Sequence, residues 1–175
     1  EQLLPAQIYL SPQDRRAEKI RQVREIARVD ARWAELALDA CDGDAEAAVA
    51  FVCGGTGAAP AVQLLRAALA DDTDTTRFRV LYLSRTQRDQ TLKRDLDALK
   101  WDRLDLFCAC DDVDGLVDAN LLRRCLPAPS DTKSAVLVSG PPGLVRRLCG
   151  TTDKREPLGG LLREMGYGAQ VARLD

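Results

Sequence analysis

Short apolar runs alternate with helical patterns from Ala47 to Leu174, and this alternation constrains the fold more than any other feature of the chain. The runs are Ala47–Cys53, Phe78–Leu83, Leu104–Ala109, Ala135–Ser139 and Gln170–Leu174. Between them lie a helix running to about Leu69 and another over Gln87–Leu99, where Leu92, Leu96 and Leu99 are spaced for one buried face. Asp118–Cys125 forms a further helix closed by Leu126-Pro127, and Leu144–Leu148 and Leu158–Met165 are shorter ones. Asp71–Thr76 is a polar loop. Strands joined through helices pair in parallel, because a crossover returns the chain to the end of the sheet where it began. The pattern therefore predicts an α/β fold: an open, mainly parallel five-stranded sheet with helices on both faces, occupying residues 43–175.

Residues 1–42 carry a different texture and are expected to form an N-terminal helical extension or hairpin. Ser11-Pro12 starts one helix, with Ile20, Val23, Ile26 and Ala27 at helical spacing. A second fits Asp30 to Asp42, with Trp33, Leu36, Ala37 and Ala40 on one face and Gly43 at its end.

Composition narrows the function classes. The chain is 30% charged but nearly balanced, at net −2, which disfavours nucleic-acid binding by phosphate neutralisation. No apolar run approaches the ~20 residues of a transmembrane segment. The chain begins at Glu1 with no initiator Met, which suggests a processed chain or a fragment. There is no histidine, so Ser-His-Asp and Cys-His catalysis and most zinc sites are excluded. Cys41, Cys53, Cys108, Cys110, Cys125 and Cys149 make no CxxC pair and read as buried thiols of a reducing intracellular compartment. Neither catalytic residues nor metal ligands stand out.

In open parallel sheets, ligands sit beyond the carboxyl ends of the strands. Three such ends carry suggestive residues. After the first strand come Gly54, Gly55, Thr56 and Gly57, then Ala58-Ala59-Pro60 and a helix. Glycines let the backbone approach a ligand closely, and a helix start offers unpaired N–H groups to an anion. The turn is not a P-loop, since no Gly-Lys-Ser/Thr follows, and it lacks the full G-x-G-x-x-G spacing. After the second strand come Ser84, Arg85 and Thr86, hydroxyls suited to a ribose beside a guanidinium suited to phosphate or adenine. After the fourth come Ser139, Gly140, Pro141 and Pro142, a turn stiffened by proline in which Ser139 can bond a carboxamide. Each has a plain alternative as a turn or solvated strand end. Their convergence on one sheet edge is the stronger sign.

These motifs carry a resemblance. GGTGAAP, VLYLSRTQRDQTLKRDLDAL, GLVDANLLRRCLPAP and VLVSGPPGLV, in this order, are similar to the pyridine-nucleotide domain of ferredoxin-reductase-type flavoproteins, above all NADH–cytochrome b5 reductases and their fungal mitochondrial relatives. The likeness covers about residues 47–174, and the ending PLGGLLREMGYGAQVARL shares it. It implies that NADH or NADPH binds and passes a hydride to FAD. Gly55, Thr56 and Gly57 would lie near the nicotinamide and its phosphates, Ser84 and Arg85 would face the adenosine, and Gly140 and Pro141 would wall the nicotinamide pocket. It also implies a mitochondrial location and, as partner, a flavin domain, an electron-acceptor protein or neighbouring subunits of a larger complex. The chain departs from the family in three places: no Arg-x-Tyr-Ser/Thr flavin signature is present, Ser139 replaces the family's cysteine, and Leu174-Asp175 replaces a terminal aromatic. FAD would therefore come from a missing domain or a partner. The alternative to a reductase module is a degenerate, non-catalytic scaffold subunit.

A second likeness lies upstream. RWAELALDACDGDAEAAVAFV resembles the last two helices of a ubiquitin-associated domain, which would make the N-terminus a partner-binding adaptor. Its last helix would use Asp44–Val52, which the α/β reading needs as its first strand, so the two readings compete for the same residues.

Overall fold

The computed structural model describes residues 48–69, 76–99, 102–131 and 133–174. The expected helices within residues 1–42, the boundary between extension and domain, and most of the polar loop lie outside the described residues.

Five strands form one all-parallel sheet: β1 (Ala48–Gly54), β2 (Arg77–Ser84), β3 (Leu104–Cys110), β4 (Ala135–Ser139) and β5 (Val171–Arg173). Their order across the sheet is β3-β2-β1-β4-β5. The competition over residues 44–52 is thereby decided from Ala48 onward: this stretch is a strand, paired with β2 on one side and β4 on the other. Every residue of β1 and β4 is buried, as expected of strands covered on both faces.

The helices divide between the two faces. On one, Ala61, Val62, Leu64 and Leu65 of α1 (Ala59–Leu69) and Leu96 of α2 (Lys93–Asp97) pack with Val49, Phe51, Val80 and Tyr82. A four-residue helix, α3 (Asp111–Asp114), follows β3. On the other face, Leu122 of α4 (Ala119–Cys125), Val145 and Leu148 of α5 (Pro142–Cys149) and Leu162 of α6 (Gly160–Glu164) pack with Val52, Leu81, Val136 and Val138.

Local chemistry sets the ends. Pro60 sits in the first turn of α1 and Pro142 begins α5, where a missing N–H costs nothing. Asp118 caps α4 by accepting from the Leu121 N–H at 2.8 Å. The long helix expected over residues 87–99 is broken. A 3-10 turn (Gln87–Asp89) is closed by a capping box with Thr86, and Gln90 leaves helical angles at φ −80, ψ 61. Leu92, Leu96 and Leu99 still face the same core, so the apolar spacing survives while the backbone does not. α6 is shorter than expected because Gly159 is extended and Gly160 takes φ 59.

The topology places the ligand question. From β1 the chain steps outward through β2 to β3, then returns to lay β4 on the opposite side of β1. Beside this switch in direction, at the carboxyl edge of the sheet, such folds hold their ligands. The registers Cys53↔Tyr82, Cys53↔Ser139 and Ser84↔Cys110 bring the ends of β1, β2, β3 and β4 to one level.

Candidate functional site

The turn after β1 is held from both sides. Gly55–Ala58 forms a 3-10 turn leading into α1. A Cβ on Gly57 would stand 2.5 Å from Gly140 Cα and 2.6 Å from Gly140 N, so Gly57 is where the β1 turn rests on the β4 turn. A Cβ on Gly54 would stand 2.7 Å from the Leu144 side chain. Gly55 differs: it takes φ 55, and a Cβ there would meet nothing within 4 Å. It is the glycine of the turn that opens outward. Across the sheet, the Tyr82 hydroxyl donates to the Gly55 carbonyl at 3.2 Å and accepts from the Leu92 N–H at 3.4 Å.

Beyond these ends lies a cleft of about 570 Å³. Gly54 and Gly55 form its floor, Ser84 and Arg85 one wall, and Pro141, Leu144 and Arg147 the facing wall. Leu116, 63% exposed, and buried Val117 also line it. Arg147 is fixed by its Nε–H, which donates to the Val117 carbonyl at 2.9 Å. The Arg85 backbone is tied down, its carbonyl accepting from the Asp112 N–H at 3.1 Å, while its side chain is exposed. Asp89 and Asp111 also line the cleft. Asp89 accepts from the Thr86 N–H and hydroxyl at 3.2 and 3.0 Å. The Ser84 hydroxyl lies 3.3 Å from Cys110 Sγ, to which Gln90 also donates at 3.2 Å. Guanidinium groups, an open glycine backbone and apolar walls suit a ligand with phosphates and a flat ring.

Of the residues singled out in the sequence, Gly54, Gly55, Ser84, Arg85 and Pro141 line this cleft. The others stand behind it or beside it. Gly57 and Gly140 pack on each other, Ser139 is buried, Thr86 serves the capping box, and Thr56 is exposed on the turn. Sequence reasoning missed Asp111, although it follows the last residue of β3 as Arg85 follows the last residue of β2, and the same strand-end rule would have found it. Arg147 carried no such signal. Its place depends on α5 turning it back toward the loop that holds Val117.

Of the described thiols, Cys53, Cys110, Cys125 and Cys149 are buried as expected, whereas Cys108, on the edge strand β3, is exposed, which corrects the expectation for that residue. Burial pushes Cys53 up to about 12, with Cys108 adding to the rise, and pushes Cys149 up to about 11 against the lowering effect of Arg173. Desolvation likewise raises Cys108 and Cys125. Among the described residues no cluster of His, Cys, Asp and Glu could hold a metal, and no helix is long and apolar enough to cross a membrane.

The oxidoreductase NAD-binding domain family matches residues 51–150. The NADH-cytochrome b5 reductase 2 of Chaetomium globosum is 33% identical over 137 residues, covering 70% of this chain and 39% of that protein. Its counterpart in Botryotinia fuckeliana is 32% identical over 136 residues, with the same coverage. The chain thus spans about two fifths of the length of these relatives. Among solved structures, the cytochrome b5 reductase domain of Ulva prolifera nitrate reductase is similar with a TM-score of 0.61 and 25% identity, over 72% of this chain and 49% of that one.

Proposed function

Since the chain belongs to the oxidoreductase NAD-binding domain family, we propose that the cleft between the β1, β2 and β4 turns holds NADH or NADPH for hydride delivery to an FAD carried on another domain or partner protein. The observation that carries this reading is the meeting at the β1/β4 switch of an open glycine, Gly55, with two guanidinium groups, Arg85 and Arg147. A bound nicotinamide supplies the hydride; the residues of this chain bind it and aim it. Gly55 leaves room for phosphate oxygens to approach the backbone. Arg85 and Arg147 offset phosphate charge, and Leu116 and Leu144 offer apolar surface to a ring. Asp89 and Asp111 can accept from ribose hydroxyls and oppose an added 2′-phosphate, which favours NADH over NADPH.

The alternative is a scaffold, since close packing of Gly57 on Gly140 accounts for part of the glycine motif whether or not a ligand binds. Calorimetric titration of the chain with NADH, NADPH and ADP-ribose separates the two. Micromolar binding, tighter for NADH, supports the nucleotide reading. Absence of binding by a folded chain refutes it and leaves the scaffold. Electron transfer is then tested by adding a flavin-loaded reductase barrel and following NADH oxidation.

A further inference from the structure

Tyr82 is, with Tyr167, the largest fully buried side chain among the described residues, yet its hydroxyl reaches out of the core to two backbone groups on different loops. It donates to Gly55 in the turn after β1 and accepts from Leu92 in the segment after β2. Burial of the ring fixes the hydroxyl's position, since a side chain packed on all sides has few rotamers open to it. A trans peptide is planar, with its C=O and N–H pointing in opposite directions. Anchoring the Gly55 carbonyl toward Tyr82 therefore turns the Thr56 N–H away from Tyr82. It also restrains Gly55 itself, the first residue of the 3-10 turn, which takes φ 55 and has open space where a side chain would stand. The second bond restrains the segment behind Ser84 and Arg85, the cleft's other wall.

We infer that Tyr82 is a positioning residue for nucleotide binding, one phenol that sets the Gly55 peptide and links it to the loop behind Ser84 and Arg85. This inference rests on the nucleotide reading above. Tyr82 touches no ligand; it acts by limiting the conformations of the turn, so that less freedom is lost when a diphosphate arrives.

The test is Tyr82→Phe, which keeps the ring and removes the two bonds. Amide exchange at Leu92 should speed up, because its N–H loses its acceptor. ADP-ribose should bind about three- to ten-fold more weakly, the effect of one ordinary hydrogen bond, while adenosine binds as before. Unchanged Leu92 exchange or unchanged ADP-ribose affinity overturns the inference, as does an equal loss for adenosine, which would mean general loosening. If the wild-type chain binds neither ligand, the nucleotide reading falls and the role in binding falls with it, while Leu92 exchange still decides whether Tyr82 holds the segment after β2. Should the variant fail to fold, 3-fluorotyrosine in the wild-type chain replaces it. With three tyrosines in all, the Tyr82 fluorine signal should move on adding ADP-ribose, and a stationary signal overturns the inference.

Discussion

Replacing Gly57 with alanine adds one methyl group where the structure has no room for it. The new Cβ would lie 2.5 Å from Gly140 Cα, 2.6 Å from Gly140 N and 2.7 Å from Ser139 C. All three are backbone atoms, so no side chain can swing aside. Relief requires the β1 and β4 turns to part by about 1 Å, just beyond the paired residues Cys53 and Ser139. Overpacking of this kind costs about 1–3 kcal/mol, and a backbone obstruction belongs at the upper end. At about 2–4 °C per kcal/mol for a chain of this size, the melting temperature should fall by about 5–10 °C. Gly143→Ala is the matched control. A Cβ there meets nothing within 4 Å, and the residue lies inside α5, where alanine is favoured over glycine by up to ~1 kcal/mol. Thermal and urea denaturation of both variants would show one destabilised and the other unchanged or slightly stabilised. A Gly57→Ala melting point within a degree of wild type would refute the packing argument. If that variant also lost NADH binding, the glycine would be there for the ligand and not for the fold.

Two further expectations concern charge and protons. Arg147→Met should weaken ADP-ribose binding about ten-fold, as loss of a charge-assisted contact implies, and should make affinity less dependent on salt; titrations at two ionic strengths check this, and an unchanged salt dependence refutes it. Stability should decline in alkali. Cys53 has a folded pKa of about 12 against 9.0 for an ordinary thiol, so between these values the unfolded chain releases a proton that the folded one keeps. The contribution is whole below pH 9 and is lost toward pH 12, at no more than about 1.4 kcal/mol per pH unit. Urea denaturation at pH 8 and 10 should show a smaller decline in Cys53→Ala than in wild type, and equal declines would remove Cys53 as a cause.

What could be read from the sequence follows from how each element is buried. The apolar runs of all five strands gave ends within a residue of those observed, although Arg79 interrupts that of β2, because each run keeps enough apolar residues to cover the sheet at its position. The segment after β2 was misread because apolar spacing reports which residues face the core, not whether the backbone between them is continuous. Thr86 and Asp89 close one turn, the Leu92 N–H is bonded to Tyr82, and the long helix becomes two short pieces. α3 escaped notice because Asp111-Asp112-Val113-Asp114 has no apolar stripe; it is tied in part by the Asp114 carboxylate accepting from the Cys110 N–H at 2.8 Å. The cleft was half legible for a similar reason. Strand ends can be found from local sequence, whereas Arg147 and Tyr82 take part only once the sheet order has brought distant segments together.

That distinction bears on how the glycine motif is weighed. Gly57 and Gly140 would be required by any chain that laid these two turns against each other, whether or not a nucleotide followed, so their presence cannot separate a working nucleotide domain from a retained scaffold. Gly55, Arg85 and Arg147 are different. No packing contact demands a glycine at position 55, where the only steric reason is its own φ of 55, and an exposed guanidinium such as Arg85 contributes little to stability. These residues cost the fold something or give it nothing, and all three face the same cleft. Arg147 repays part of its place by holding the Val117 carbonyl, but a neutral donor could do that as well. A chain under pressure only to keep its shape needs Gly55 for its backbone angle alone and needs neither cation beside the crevice. The weight of the nucleotide reading therefore falls on these three residues and not on the more conspicuous glycine run that contains one of them.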